Sequence, residues 1–209
     1  RNNSCDLQLE KDDIEKINFQ NYSAVFISGT ALSSNPSREA VLHASQKASS
    51  QNIPLIIDLD YRPYNWESDQ IKSDIYKKIM SEMDIIIGND LEFNIADNSL
   101  DGFQLTKHFI KEKPSIIVYK MGEKGSRVFT KEKEFEFGIF KVDAIKPAGA
   151  GDAFNGGFIS SLYQGFSLEE SIKRGSANAA LVVTKVGCSS AMPNNDELEK
   201  FINQKSMET

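Results

Sequence analysis

Apolar residues along this chain gather in short, almost unbroken runs at 24–28, 54–58, 84–87 and 115–119, with stretches of helical spacing between them. In those stretches, 38–50, 69–80, 90–96 and 104–111, apolar residues recur three and four positions apart, the period of one helix face. A strand with one wet face would alternate apolar and polar residues. Runs that do not alternate need cover on both faces, so the pattern predicts a mostly parallel sheet between helical layers, an α/β fold.

Beyond residue 119 the texture changes. Segments 127–130, 134–137 and 139–142 read as short strands joined by Gly and charged turns, which predicts an antiparallel edge. Segments 151–163 and 168–184 return to helical spacing, rich in Ala, Gly and Ser where helices can approach closely, and 196–204 predicts a last helix. No repeat or low-complexity linker interrupts this order, so residues 1–209 read as part of a single domain.

Composition narrows the function classes. At 209 residues, 40% hydrophobic and 26% charged, the chain can bury a sizeable core. Its 24 basic and 30 acidic residues leave a net charge of -6 without the dense Lys and Arg run that a nucleic-acid partner requires. Every apolar run is far shorter than the ~20 residues of a membrane span, so no membrane association is expected. Cys5 and Cys188 are far apart and lack a second ligand at metal spacing, which predicts neither a disulfide framework nor a zinc site and fits the cytoplasm. His43 and His108 sit in helical patterns and read as boundary residues. The chain begins at Arg1 without a signal segment, which predicts a cytoplasmic fragment of a longer protein.

The densest chemistry lies in Lys146-Pro-Ala-Gly149-Ala150-Gly151-Asp152, a small-residue loop that runs straight into a helix. Gly149, Ala150 and Gly151 leave backbone N–H groups unobstructed at a helix N-terminus, where aligned peptide dipoles favour a phosphate anion. An acidic side chain there repels phosphate unless it has its own task, and acting as base toward an incoming hydroxyl is such a task. Asp is equally a favoured N-cap, so on the loop alone Asp152 reads as base or as cap. Asn89-Asp-Leu-Glu92 offers a similar choice: an amide and a carboxylate on one helical face that order hydrated magnesium, or a capping box. The glycines of Lys120-Met-Gly122-Glu-Lys-Gly125 read on their own as hairpin punctuation, and the Ala-rich helix around Asn178 as tight packing.

Taken in order, these segments resemble the ribokinase-like carbohydrate kinases. The loop 149–152 resembles that family's second signature, which implies Asp152 as catalytic base and the amides of Gly149, Ala150 and Gly151 as stabilisers of the transferred phosphoryl group. Asn89 and Glu92 resemble its Asn-x-x-Glu element, which implies a place beside magnesium, its waters and the nucleotide phosphates. Lys120, Gly122 and Gly125 match a turn that flanks the nucleotide, and Asn178 a helix against which adenine packs. The resemblance implies a three-layer α/β/α sandwich with ATP and Mg2+ as cofactors. It also implies that the N-terminal strands, the Gly-Gly sugar motif and the lid lie outside this chain, leaving a sheet edge open to homo-oligomer formation and a fragment inactive alone. Many family members carry Asp where Lys146 stands, in a loop that holds a monovalent cation, so Lys146 speaks against that cation here.

Residues 58–66, together with 28–32 and 36–40, resemble the branch acting on 5-dehydro-2-deoxygluconate in myo-inositol catabolism, with 2-keto-3-deoxygluconate as the nearest alternative substrate. A small-molecule sugar acid calls for a cationic partner, and Arg62 or Arg1 can meet a carboxylate bidentately. Arg62 can equally tie down its own loop with Asp60. The expected activity is transfer of the ATP γ-phosphoryl group to a sugar-acid hydroxyl; a non-catalytic nucleotide- or sugar-binding module is the alternative from another class.

Overall fold

The computed structural model of the chain describes residues 4–62, 66–97 and 100–205. One six-stranded sheet follows sequence order: β1 Val25–Ser28, β2 Leu55–Asp58, β3 Ile85–Asn89, β4 Ile116–Lys120, β5 Ser126–Thr130 and β6 Glu134–Phe137. The first four are parallel neighbours, aligned as Val25↔Leu55, Ile56↔Ile85 and Ile85↔Ile116. Parallel neighbours need a long crossover. After the short α1 Lys11–Glu15, the helical stretches supply it as α2 Ser37–Ser50, α3 Asp69–Glu82, and the pair α4 Asp90–Ala96 and α5 Gly102–Phe109.

Burial follows the sequence texture. Leu55, Ile56 and Ile57 of β2, Ile86 and Ile87 of β3, and Ile117 and Val118 of β4 are fully buried, as runs covered on both faces must be. On the edge strand β1, Phe26 is 48% exposed. Residues 121–125 join β4 to β5 and 131–133 join β5 to β6, too short for crossovers, so this side of the sheet turns back antiparallel.

Segment 139–142 departs from the strand expected of it: only Ile139 makes a bridge. Phe140 is instead buried among Ala177, Ala180 and Leu198, with Val142 packed alongside, on helices α7 Leu168–Val183 and α8 Asn195–Gln204. Apolar residues two apart line one face of an extended chain whether the neighbour is a strand or a helix, so the alternation alone misleads.

By internal contacts the chain divides into two compact units, residues 1–120 with 127–135, and residues 121–126 with 136–209. The second is built on α6 Ala150–Tyr163 against α7. Arg174 of α7 is buried there, its Nε donating to Ser161 Oγ at 3.0 Å and a terminal nitrogen pairing with Glu199 of α8 at 2.6 Å. Among the described residues no helix is long and apolar enough to cross a membrane.

Candidate active site

In a parallel sheet, aligned residues share a face and successive residues alternate. Asp58 aligns with Ile87 and through it with Val118, so Asn89 and Lys120, each two residues further on, share its face. Three neighbouring strands thereby bring polar side chains to their carboxyl ends, the end at which open α/β sheets bind ligands. Lys120 Nζ stands 3.7 Å from Asp58 Oδ1, with both side chains largely shielded from solvent.

At the end of β3, Asn89 caps α4: its Oδ1 accepts from the Glu92 N–H at 2.9 Å, and Glu92 Oε2 accepts from the Asn89 N–H at 2.8 Å. The capping box is therefore made. Glu92 is 8% exposed, and burial pushes its carboxyl above the ordinary glutamate range. The Asn89 N–H opposes that shift, the charge of Asp58 adds to it, Lys120 pulls back and Asp60 adds a little more. Among the described residues no three His, Cys, Asp or Glu side chains converge into a metal cage. A donor set with one carboxylate oxygen already committed fits a hydrated ion held through water, since Mg2+ keeps several of its waters.

Arg62 follows in the turn after β2. A terminal nitrogen of its guanidinium pairs with Asp60 Oδ1 at 2.6 Å and the other donates to the Tyr61 carbonyl at 2.9 Å, while the side chain stays 53% exposed. Trp66 packs on Tyr76 of α3, ring centroids 5.3 Å apart. Arg1 and Tyr64 lie outside the described residues.

In the second unit, Gly149 is the N-cap of α6, at φ 87°, in the left-handed region, with no side-chain cap. Ala150, Gly151 and Asp152 are the first three helical residues, and Asp152 is exposed. The cap reading of Asp152 therefore gives way: the cap is Gly149, and the carboxylate is carried on the first turn. A Cβ at position 149 would stand 2.6 Å from Cys188 Sγ, so the loop closes only around glycine. Lys146 is exposed, and its N–H and that of Ile145 reach the Val183 carbonyl at 3.1 and 2.7 Å.

The remaining positions are held by packing. Gly122 is exposed at φ 59°, whereas a Cβ on Gly125 would stand 1.9 Å from the Phe137 carbonyl oxygen. Asn178 lies between α6 and α7, its Nδ2 2.5 Å from where a Cβ on Gly157 would be. Asp58 had no role in the sequence pattern and Asp60 only that of tying down its loop with Arg62, a pair the structure makes, and Cys188 was not placed against Gly149. Asp58 ends the second strand of a parallel pattern and Asp60 stands in the turn just beyond it, so the carboxyl-end rule could have marked both; nothing local marks the Cys188 contact.

A 5-dehydro-2-deoxygluconokinase of Photobacterium profundum is 38% identical over 209 residues, covering 97% of this chain and 63% of that protein. Its namesake in Bacillus subtilis is 35% identical over 209 residues, covering 99% and 64%. The chain thus spans just over three fifths of the length of these curated relatives. A fructokinase of Xylella fastidiosa solved with bound ATP superposes with a TM-score of 0.84 over 98% of this chain and 68% of that one, at 20% identity, a likeness of fold alone. The family model of the pfkB family carbohydrate kinases matches residues 1–205, and the chain belongs to that family.

Proposed function

We propose that the complete protein transfers the γ-phosphoryl group of ATP to a hydroxyl of 5-dehydro-2-deoxygluconate, and that residues 1–209 form the C-terminal part of its single kinase domain. The carrying observation is Asp152: an exposed carboxylate on the first turn of a helix that opens with a left-handed, uncapped glycine. The relatives that match nearly the whole chain, named for that substrate, support it.

Asp152 accepts the proton of the attacking hydroxyl, and the amides of Gly149 and Gly151, joined by that of Ala150 once it leaves the Pro147 carbonyl it meets at 3.3 Å, stabilise the charge that develops on the transferred group. Lys120, Gly122, Gly125 and Asn178 bind the nucleotide, and Asn89 and Glu92 orient water at its phosphates. Glu92 and Asn89 would hold Mg2+ through that water, and the ion would supply charge neutralisation at the phosphates. The Lys146 ammonium takes the place of a monovalent cation beside the loop. Arg62 reads the carboxylate of the substrate. The protein works in the cytoplasm.

ATP turnover by the complete protein on 5-dehydro-2-deoxygluconate and on 2-keto-3-deoxygluconate tests this, beside the Asp152→Asn variant. The expected result is preference for the first acid and a loss of about 10²–10⁴-fold in kcat in the variant. Preference for the second acid moves the substrate; unaltered turnover in Asp152→Asn removes the base; nucleotide binding without turnover leaves a binding module.

A further inference from the structure

The turn after β2 is more tightly built than a connection needs to be. Leu59 keeps the sheet bond, its N–H donating to the Ile87 carbonyl at 2.9 Å, and the chain then turns sharply at Asp60, φ 35°. A residue with a side chain seldom takes a positive φ, and when it does so away from glycine the surroundings must hold it there. Here they do, through three side chains. The buried Tyr76 hydroxyl of α3 donates to the Leu59 carbonyl at 2.6 Å. The Ser28 hydroxyl, at the end of β1, donates to Asp60 Oδ2 at 2.7 Å. Thr30 Oγ1 lies 2.6 Å from the same oxygen and 2.8 Å from the Asp60 carbonyl.

With Oδ2 taken by two hydroxyls, Oδ1 is left for the Arg62 guanidinium at 2.6 Å, which the Tyr61 carbonyl steadies from the other terminal nitrogen. As a surface ion pair this contact would stabilise the fold little. Its effect lies in the guanidinium. An arginine ordinarily loses side-chain freedom when it binds, whereas one already fixed by two acceptors has lost it beforehand, and the rest of its donor fork remains for a planar anion.

We propose that Asp60 is a positioning residue that holds the Arg62 guanidinium ready for a ligand carboxylate, making the turn after β2 the part of the site that selects acids over neutral sugars. This rests on the reading of the substrate as a sugar acid. The negative charge of Asp60 opposes an incoming carboxylate, so the sign of its removal is decisive: if position dominates, neutralising Asp60 weakens acid binding; if charge dominates, it strengthens it.

The test follows the Arg62 Nε–Hε signal by NMR in the complete protein while D-gluconate or D-glucose is added. Gluconate should shift that signal and glucose should not. Asp60→Asn, still folded by its thermal melt, should weaken the gluconate affinity about tenfold, and Arg62→Gln should abolish the discrimination. Should Asp60→Asn fail to fold, Ser28→Ala loosens the same carboxylate and should weaken gluconate in the same sense. Equal response to both sugars, response to neither, or gluconate binding unchanged or tightened in the Asp60 or Ser28 variant overturns the proposal. Absence of kinase turnover with gluconate selectivity intact would instead retire the proposed reaction and leave this site standing.

Discussion

Asn89-Asp-Leu-Glu92 and Asn194-Asn-Asp-Glu197 start two helices, α4 and α8, with the same capping box. In each the Asn oxygen accepts from the Glu N–H at 2.9 Å, and the Glu carboxylate accepts from the Asn N–H at 2.8 Å in α4 and 3.0 Å in α8. Their electrostatics run in opposite directions. Burial pushes Glu92 above the ordinary glutamate range, while the Asn194 N–H and Lys185 hold the open Glu197 below it. Hydrogen bonding in the motif is local and identical; the difference comes from what precedes it. Asn89 ends a strand in the middle of the sheet, whereas Asn194 follows a short loop at Met192 and Pro193. Spacing finds the cap, and topology decides whether the cap stands at the carboxyl end of the sheet.

The sharpest way to break that comparison is to delete both carboxylates. In Glu92→Ala the partly buried Asn89 N–H loses its acceptor where water enters poorly, and unfolding free energy should fall by about 1–3 kcal/mol. In Glu197→Ala water replaces the acceptor, and the loss should be clearly smaller. Denaturant unfolding of the two variants measures the gap; equal losses would mean that burial does not separate the boxes.

Helix α6, which opens on a glycine with no side-chain cap, gives the next effect in size. Gly149→Ala places a side chain at φ 87°, which costs about 1–2 kcal/mol in the backbone alone, and brings its Cβ against Cys188 Sγ. Removing that sulfur in Gly149→Ala/Cys188→Ala should recover the contact share and leave the backbone share, so the two substitutions should not add. Strict additivity in a double-mutant cycle would show that the sulfur does not confine the loop.

Much of this is legible in the sequence. The runs at 54–58, 84–87 and 115–119 show as strands because burial on both faces leaves no alternation, and 90–96 is helical in pattern and in structure alike. At 139–142 the period was real but its partner was a pair of helices. At Asp60 the pairing with Arg62 was legible from their closeness in sequence, but the hydroxyls that fix the turn lie 32 and 30 positions away, at Ser28 and Thr30. For Asp152 the choice between base and cap was readable from the loop, whereas its place on the first turn behind a glycine cap needed the backbone.

The smallest effect sharpens the comparison by sign rather than size. A carboxyl raised on folding binds its proton more tightly in the folded chain than in the unfolded one. As pH climbs through the ordinary glutamate value of 4.5, the unfolded chain releases that proton first, so Glu92 lowers stability progressively until the folded group has ionised too. Glu197 behaves as the mirror image. Depressed in the folded chain, it contributes stability that is complete above 4.5 and lost as pH falls through its folded value. Glutamine keeps an acceptor for each box and removes the titration. From pH ~4 to ~7, Glu92→Gln should therefore gain in melting temperature relative to the parent, and Glu197→Gln should lose. Offsets from weaker neutral hydrogen bonds shift each curve as a whole without changing its slope. Thermal melts across that range decide it: slopes of the same sign would mean that the shared box, and not the burial of Glu92 at the carboxyl end of the sheet, sets the charge energetics of both motifs.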